Sequence, residues 1–486
     1  MTFLVPPRTS PLLDPTFRPL WAARRAAEAA ARGSGAAHPV AIAVEQPGGS
    51  VEIVESAVIA DRREGAPASR RLVERLVKTM LWSRGGSTVW VDGPASLVAE
   101  LRSHYRGTPE GRFDAATLGA EVYGRPFEVV AAPRSAFPAS RDLPSTLGGH
   151  LDGCRIGFDL GASDRKAAAV VDGRVVFSEE IAWDPVHHPD PQWHVDQIND
   201  SLHRAAAHLP RVDAIGGSSA GIYVDSRVRV ASLFRAVPRD VFRTRVAGIF
   251  DELRAAWGGI PFVVLNDGEV TALAGAMLAG VGGLLGIALG SSEAAGYVRP
   301  DGRLTSWLDE LAFAPIDVAP EAPLDEWSGD RGCGAQYLSQ QAVARLLPMA
   351  GFEVDPGLSL PERLVQLQSR MAAGDPRAVR VYATIGSYLG HAILWYRELY
   401  DVRHLLLLGR VTSGPGGEAI QAAAVETLRA EDPAFAEGLR FHHVSERDKR
   451  HGQAVAAASL PALAREASRA TVLAPPARDV RAAGRD

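Results

Sequence analysis

Two cysteines, Cys154 and Cys333, are all that 486 residues provide. So few thiols exclude a disulfide framework and cannot build a four-cysteine zinc site, and both are expected as buried thiols in a reducing cytoplasm. Long apolar runs are equally scarce. The best of them, residues 272–289, is interrupted by glycines, and a strand is expected to leave it after Gly283, so no membrane span is expected. The opening stretch MTFLVPPRTSPLLDP meets prolines before it could form a signal-peptide core, and no targeting segment is expected. Positive charge is not in excess: 52 Lys and Arg stand against 57 Asp and Glu, for a formal net charge of −5. That balance argues against nucleic acid as the main partner.

What is present fits a soluble protein with a real core, 46% hydrophobic and 22% charged. The length predicts two or three folded units. Residues 1–37 read as a Pro-rich arm followed by a helix over 20–31. Residues 38–150 read as an accessory α/β domain: strands 39–45 and 51–59 joined by a Gly turn, then a helix near 69–82, a strand 87–92, a helix 95–105 and a strand near 127–132. Its order repeats that of the next unit without the polar residues, as a degenerate relative would. From residue 151 the pattern restarts as a β-hairpin, with helices expected over 194–208 and 239–257 and strands at 212–216, 261–265, 284–289 and 404–408. The segment 462–486 reads as a disordered tail.

Four segments carry chemistry. The first is IGFDLGASDRK (156–166), a strand ending in Asp159 followed by a Gly/Ser turn and a second strand. Glycine lets backbone N–H groups approach phosphate oxygens. Ser163 adds a hydroxyl, and Asp159 stands where one carboxylate could hold a hydrated Mg²⁺. An ordinary hairpin with an Asx turn has the same sequence. Arg165 and Lys166 could reach a phosphate or simply face solvent. The second is FVVLND (262–267), which puts Asn266 and Asp267 at a strand end that opens a helix. Helix capping accounts for both residue types; a general base at Asp267, oriented by Asn266, is the functional alternative. The third, LLGIALGSSEAAGYVRPDG (284–302), has the form of a second phosphate-facing hairpin around Gly290, Ser291 and Ser292. The fourth, LLLLGRVTSG (405–414), is a buried strand opening onto Gly409 and Gly414, a flat surface for an adenosine.

In this order the segments resemble the actin, sugar-kinase and heat-shock-chaperone ATPase superfamily, and within it the ROK family of sugar kinases and repressors, over residues 154–457. The resemblance implies a two-lobed, ribonuclease H-like α/β fold, here with an additional N-terminal α/β domain, its lobes meeting at 151–266 and 267–461. It implies ATP and Mg²⁺ as cofactors and phosphoryl transfer to a hydroxyl of a sugar or sugar-like polyol. Asp267 takes the base position. Asn266 and Glu310 take acceptor-binding positions, with Ser219 and Gly221 in VDAIGGSSAG (212–221) beside them. Asp159, Gly161, Ser163, Lys166, Gly290, Ser291, Ser292, Gly409 and Gly414 take nucleotide positions, and GQAVAA (452–457) resembles the closing helix. The resemblance further implies a cytoplasmic protein and a homodimer.

This sequence also departs from the family pattern. The His expected after Glu310 is Phe313, the cysteine cluster is reduced to Gly332-Cys333, and the acid expected next is Ala335. One thiolate cannot make a tetrahedral zinc site, so no zinc is expected. Glu293 brings a carboxylate to the second hairpin, where it could bind a metal, point away, or weaken the nucleotide site. These changes keep open a sugar-sensing or regulatory protein that has lost the chemistry. No basic recognition helix is legible in the N-terminal region, which argues against a DNA-binding repressor. The adjacent pairs His187-His188 and His442-His443 read as solvated loop residues. Trp183, Trp193, Trp307 and Trp327 read as core or lid residues or as a sugar-stacking wall.

Overall fold

Each of the larger sheets opens on an antiparallel hairpin. The computed structural model describes residues 3–61, 63–142, 147–442 and 446–463; the expected tail beyond 463 and His443 lie outside them. After the helix α1 (Leu20–Gly33) come strands β1 (Ala37–Glu45) and β2 (Val51–Ile59), then α2 (Ala66–Arg84), β3 (Thr88–Asp92), α3 (Ala95–Gly107), α4 (Pro109–Ala115) and β4 (Glu128–Ala131). The order is β2-β1-β3-β4, with β1 antiparallel to both its neighbours and β3 parallel to β4. Apolar residues recur along both faces of α2, and the helix is buried along nearly its whole length, Leu76, Met80 and Trp82 completely.

The second sheet is built from β5 (Cys154–Leu160), β6 (Asp164–Val171), β7 (Arg174–Ala182), β8 (Ala214–Ser219) and β11 (Phe262–Asn266). Their order is β11-β8-β5-β6-β7: the first three strands in sequence form an antiparallel meander, and β8 and β11 add in parallel with β5. Between them lie α5 (Pro191–Ala206), the small hairpin β9 (Ile222–Val224) and β10 (Arg227–Val230), and helices α6 (Arg239–Thr244) and α7 (Ile249–Ala256). Ile156, Phe158, Ile198, Ile215 and Val264 form its core.

The third sheet follows α8 (Asp267–Ala279). It uses β12 (Leu284–Leu289), β13 (Glu293–Val298), β14 (His404–Leu408) and β15 (Arg440–His442), ordered β13-β12-β14-β15. Helices α9 (Gln340–Met349), α10 (Leu360–Ala372) and α11 (Pro376–Tyr396) lie between β13 and β14 in sequence, and α12 (Pro415–Glu431) and α13 (Pro433–Gly438) between β14 and β15. The last helix, α14 (Glu446–Ala458), returns to the second sheet. It lies so close that a Cβ on Gly157 would sit 1.9 Å from the Ala454 carbonyl oxygen, and one on Gly216 1.7 Å from that of Ala457. Small residues on both surfaces are what let backbone meet backbone there.

Most expected elements are present within two or three residues. The helix expected over 239–257 is not continuous. A 3₁₀ turn at Val246–Gly248 separates α6 from α7 and lets Val246 and Ile249 both reach the core. Residues 38–150 were expected as an accessory α/β domain; one buried cluster runs from Phe17, Leu76 and Trp82 to Leu285, Tyr388 and Trp395. The N-terminal region is also no simple repeat of the second sheet, because β1 and β3 are antiparallel where β5 and β8 are parallel. Alternating apolar residues predict a strand but not its direction, which tertiary packing decides.

Candidate active site

The hairpin β5–β6 turns at residues 161–163, where the Gly161 N–H donates to the Asp164 carbonyl at 2.9 Å. Trp183, at the end of β7, fixes this turn twice. Its backbone N–H donates to the Ser163 carbonyl at 3.1 Å, and its indole N–H donates to that of Gly161 at 2.8 Å. Trp183 therefore braces the turn, with Trp193 and His188 stacked behind it. The Ser163 hydroxyl donates to Asp164 at 2.9 Å.

Asp159 is buried at the end of β5, and its carboxylate accepts from Ser218 Oγ at 2.7 Å, Gln453 Nε2 at 3.1 Å and Lys166 Nζ at 3.4 Å. Burial pushes its pKa up, against the pull of Lys166 and Ser218. Burial works the other way on Lys166, yet Asp159 and Asp164 hold its ammonium above the usual range. Gln453 also donates to Ser218 at 3.1 Å, so α14 ties the Asp159 carboxylate to β8.

Asp267 follows β11 of the same sheet and starts α8. Its pKa is pushed up to about 6 by burial and by the Asp159 charge, while the Gly268 N–H, 3.0 Å from its carboxylate, works against that rise. A carboxylate in that range is ionised at neutral pH and a better base than an exposed aspartate. Asn266 is the N-cap of α8, accepting from the Gly268 N–H at 2.6 Å and donating to the Gly221 carbonyl at 2.6 Å. Its amide thus serves the protein at both ends, the capping reading of the sequence, with one N–H left over. Gly221 has φ +130°, and a Cβ there would lie 2.4 Å from the Val230 carbonyl oxygen, so only glycine fits. Ser219 is buried and accepts from the Tyr223 hydroxyl at 2.7 Å.

A cavity of about 460 Å³ lies between the second and third sheets. It is lined by Asp159, Gly161, Lys166 and Asp267 at the second sheet's strand ends and by Gly409 and Arg410 after β14, with Gln453 alongside. Of the expected residues, Asp159, Gly161, Lys166, Asp267 and Gly409 thus meet in one place. Glu310 carries a half-buried carboxyl raised to about 8 by burial, then by Asp267 and Asp309, so it faces the Asp267 charge. Ser291 and Ser292 are exposed at the second hairpin, whose Gly290 N–H donates to the Ser292 carbonyl at 2.9 Å. Gly414 caps the start of α12, beyond the cavity lining.

Glu293 turns away from the hairpin tip into the interior. The Tyr396 hydroxyl donates to it at 3.2 Å, and a Cβ on Gly334 would lie 2.2 Å from its Oε2. Burial raises its pKa to about 8. Of the three roles open to it, pointing away is the one observed. Among the described residues no group of three or more His, Cys, Asp or Glu is disposed to hold a metal ion. Cys333 is buried, and burial pushes its thiol up to about 12. His187 pairs with Asp184, and His442 with His404. Trp307, partly buried, stacks on Tyr297, whereas Trp327 is 63% exposed.

Sequence reasoning missed Gln453 and Ser218 as parts of the site, and offered Trp183 as a core, lid or sugar-stacking residue where it braces the turn. Ser218 and Gln453 sit in quoted segments, but nothing in a sequence says which polar side chain faces a carboxylate from another element.

No family model and no curated protein sequence matches the chain. Solved structures do. A ROK family transcriptional regulator, a homolog of the E. coli MLC protein, superimposes with a TM-score of 0.51 at 21% identity, over 63% of this chain and 78% of its own. This chain has the ROK fold. Other ROK structures align with lower scores: the hexokinase from Thermus thermophilus (TM-score 0.48, 21% identity, 63% of this chain and 97% of its own). The glucokinase from Streptomyces griseus, in complex with glucose and AMPPNP, gives 0.47 at 22% identity over 62% and 98%. In this ROK fold, the inter-sheet cavity holds the polar residues just described. No helix among the described residues is long and apolar enough to cross a membrane.

Proposed function

We propose that this chain is an ATP-dependent kinase that transfers a phosphoryl group to a hydroxyl of a sugar or sugar-like polyol. The observation that carries the reading is the position of Asp267. It lines the same cavity as the Asp159 turn and Lys166, and burial holds it near a pKa of about 6. Asp267 would take the acceptor hydroxyl's proton, while the turn at Gly161 and the second hairpin bind the phosphates. Glu310 and the remaining Asn266 N–H would hold the acceptor. Asp159 and Asp267 repel one another, so a cation between them is favoured, and Asp159 would hold Mg²⁺ through water. Bound Mg²⁺ would neutralise charge on the transferred group. The second and third sheets would act as two lobes that close and exclude water.

The test is Asp267→Asn in the full chain, assayed against a panel of sugars and polyols. Turnover should fall by about 10²–10⁴-fold with nucleotide binding retained; undiminished turnover would sink the assignment. A second reading, a sugar-sensing protein without chemistry, is favoured by Phe313. Its ring is packed 4.3 Å from that of Trp82 and 5.6 Å from that of Phe113, so it offers an acceptor no hydrogen bond. Calorimetry would separate the two, since a sensor binds sugar without nucleotide and turns over neither.

A further inference from the structure

The cavity has two cations among its described lining residues, Lys166 and Arg410. Lys166 is already committed: its ammonium is 2.9 Å from Asp164 and 3.4 Å from Asp159. A polyphosphate carries several negative charges, and a lysine neutralised by two carboxylates offers little to them. Arg410 has no such commitment: among the described residues no hydrogen bond or ion pair engages its guanidinium.

Its backbone, by contrast, is fixed. Gly409 has φ +94°, and a Cβ there would lie 2.3 Å from the Leu289 carbonyl oxygen. The Gly409 carbonyl accepts from Thr412 Oγ1 at 2.9 Å, and the Arg410 carbonyl accepts from Gln368 Nε2 at 2.9 Å. The turn after β14 is therefore held from both sides while it presents an exposed guanidinium to the cavity. That charge already reaches the opposite wall, where it contributes to holding Asp164 below the usual carboxylate range, after the larger effect of Lys166.

We propose that Arg410 is a phosphate-binding residue, gripping the polyphosphate chain of the bound nucleotide from the side opposite the Gly161 turn. This rests on the reading of the cavity as a nucleotide site, and adds to it a cation from the third sheet's side. A planar guanidinium binds phosphate oxygens in pairs, which a lysine at this position could not do. The same chemistry would accept a linear inorganic polyphosphate.

Calorimetry on the full chain with Mg²⁺ tests it, using ATP, ADP, AMP, adenosine and tripolyphosphate. In the unsubstituted protein, affinity should rise with the number of phosphates. Arg410→Ala should weaken ATP by about tenfold or more and leave adenosine unchanged, and Arg410→Lys should recover part of the loss. Tripolyphosphate binding as tight as that of ATP, and equally sensitive to Arg410→Ala, supports the contact and assigns it to inorganic polyphosphate. Equal losses for ATP and adenosine, unchanged ATP affinity, or no binding of any of the five ligands overturns the proposal. Binding graded by phosphate number in a protein that phosphorylates no sugar would defeat the kinase reading and leave Arg410 in place.

Discussion

The backbone N–H of Glu310 donates to the carbonyl oxygen of Trp82 at 2.9 Å, and beside it the N–H of Asp309 donates to that of Ser83 at 3.0 Å. Carbonyls in the last turn of a helix lack intrahelical partners, and here the segment carrying Glu310 takes them up. The end of α2 thus anchors the proposed acceptor side of the cavity. Farther back along α2, Lys78 bonds Asp114 at 3.0 Å and Asp330 at 2.9 Å, and Arg75 bonds Asp330 at 2.7 Å.

Lys78→Met should cost about 3–5 kcal/mol, because it leaves two buried carboxylates facing each other without their shared cation. Urea unfolding followed by circular dichroism measures this. A loss below about 1 kcal/mol would mean that Arg75 alone neutralises the cluster.

Stability should decline as pH rises. Glu293 and Glu310 have folded-state pKa values near 8, raised from 4.5. The folded chain therefore holds protons that the unfolded chain has released, and the stability they contribute is full below about 4.5 and lost as pH passes through about 8. Melting temperatures between pH 5.5 and 8.5 should fall, and Glu293→Gln should flatten the slope. A slope unchanged by that substitution counts against a buried, protonated Glu293.

The rate should move in the opposite direction at lower pH. With Asp267 near 6, kcat/KM for the proposed transfer should rise through about pH 6 and level off above it. A profile flat from pH 5 to 7 would remove Asp267 as the base.

Gly216→Ala should destabilise the protein by about 1–3 kcal/mol, since the new methyl group meets the backbone of α14 and no side chain can rotate away. Moving α14 also moves Gln453, so nucleotide affinity should fall with stability. Denaturant titration and calorimetry on the same variant check both.

Strands and turns were legible where the sequence repeats a local rule. Asp159 and Asp267 each end a strand and open a turn or helix, and those features need only neighbours in sequence. The capping reading of Asn266 was legible for the same reason. Glu293 was not, because its direction depends on whether Gly334 leaves room behind it. Gln453 reaches Asp159 across 294 positions, and no local pattern encodes that meeting. The packing of the N-terminal region was not legible for a related reason: Trp82 finds its neighbours in Phe113 and Phe313 together.

The cluster shared by the two ends of the chain bears on how the protein is made. Leu13 N–H donates to Thr384 Oγ1, the Tyr388 hydroxyl to Asp14, and the Thr9 carbonyl meets His391. This segment is made before α11 and waits roughly 20–70 s for it at ordinary synthesis rates. Until then Phe17, fully buried in the finished protein, lacks the rings of Tyr337, Tyr388 and His391 that it packs against. The N-terminal strap therefore depends on protection during synthesis.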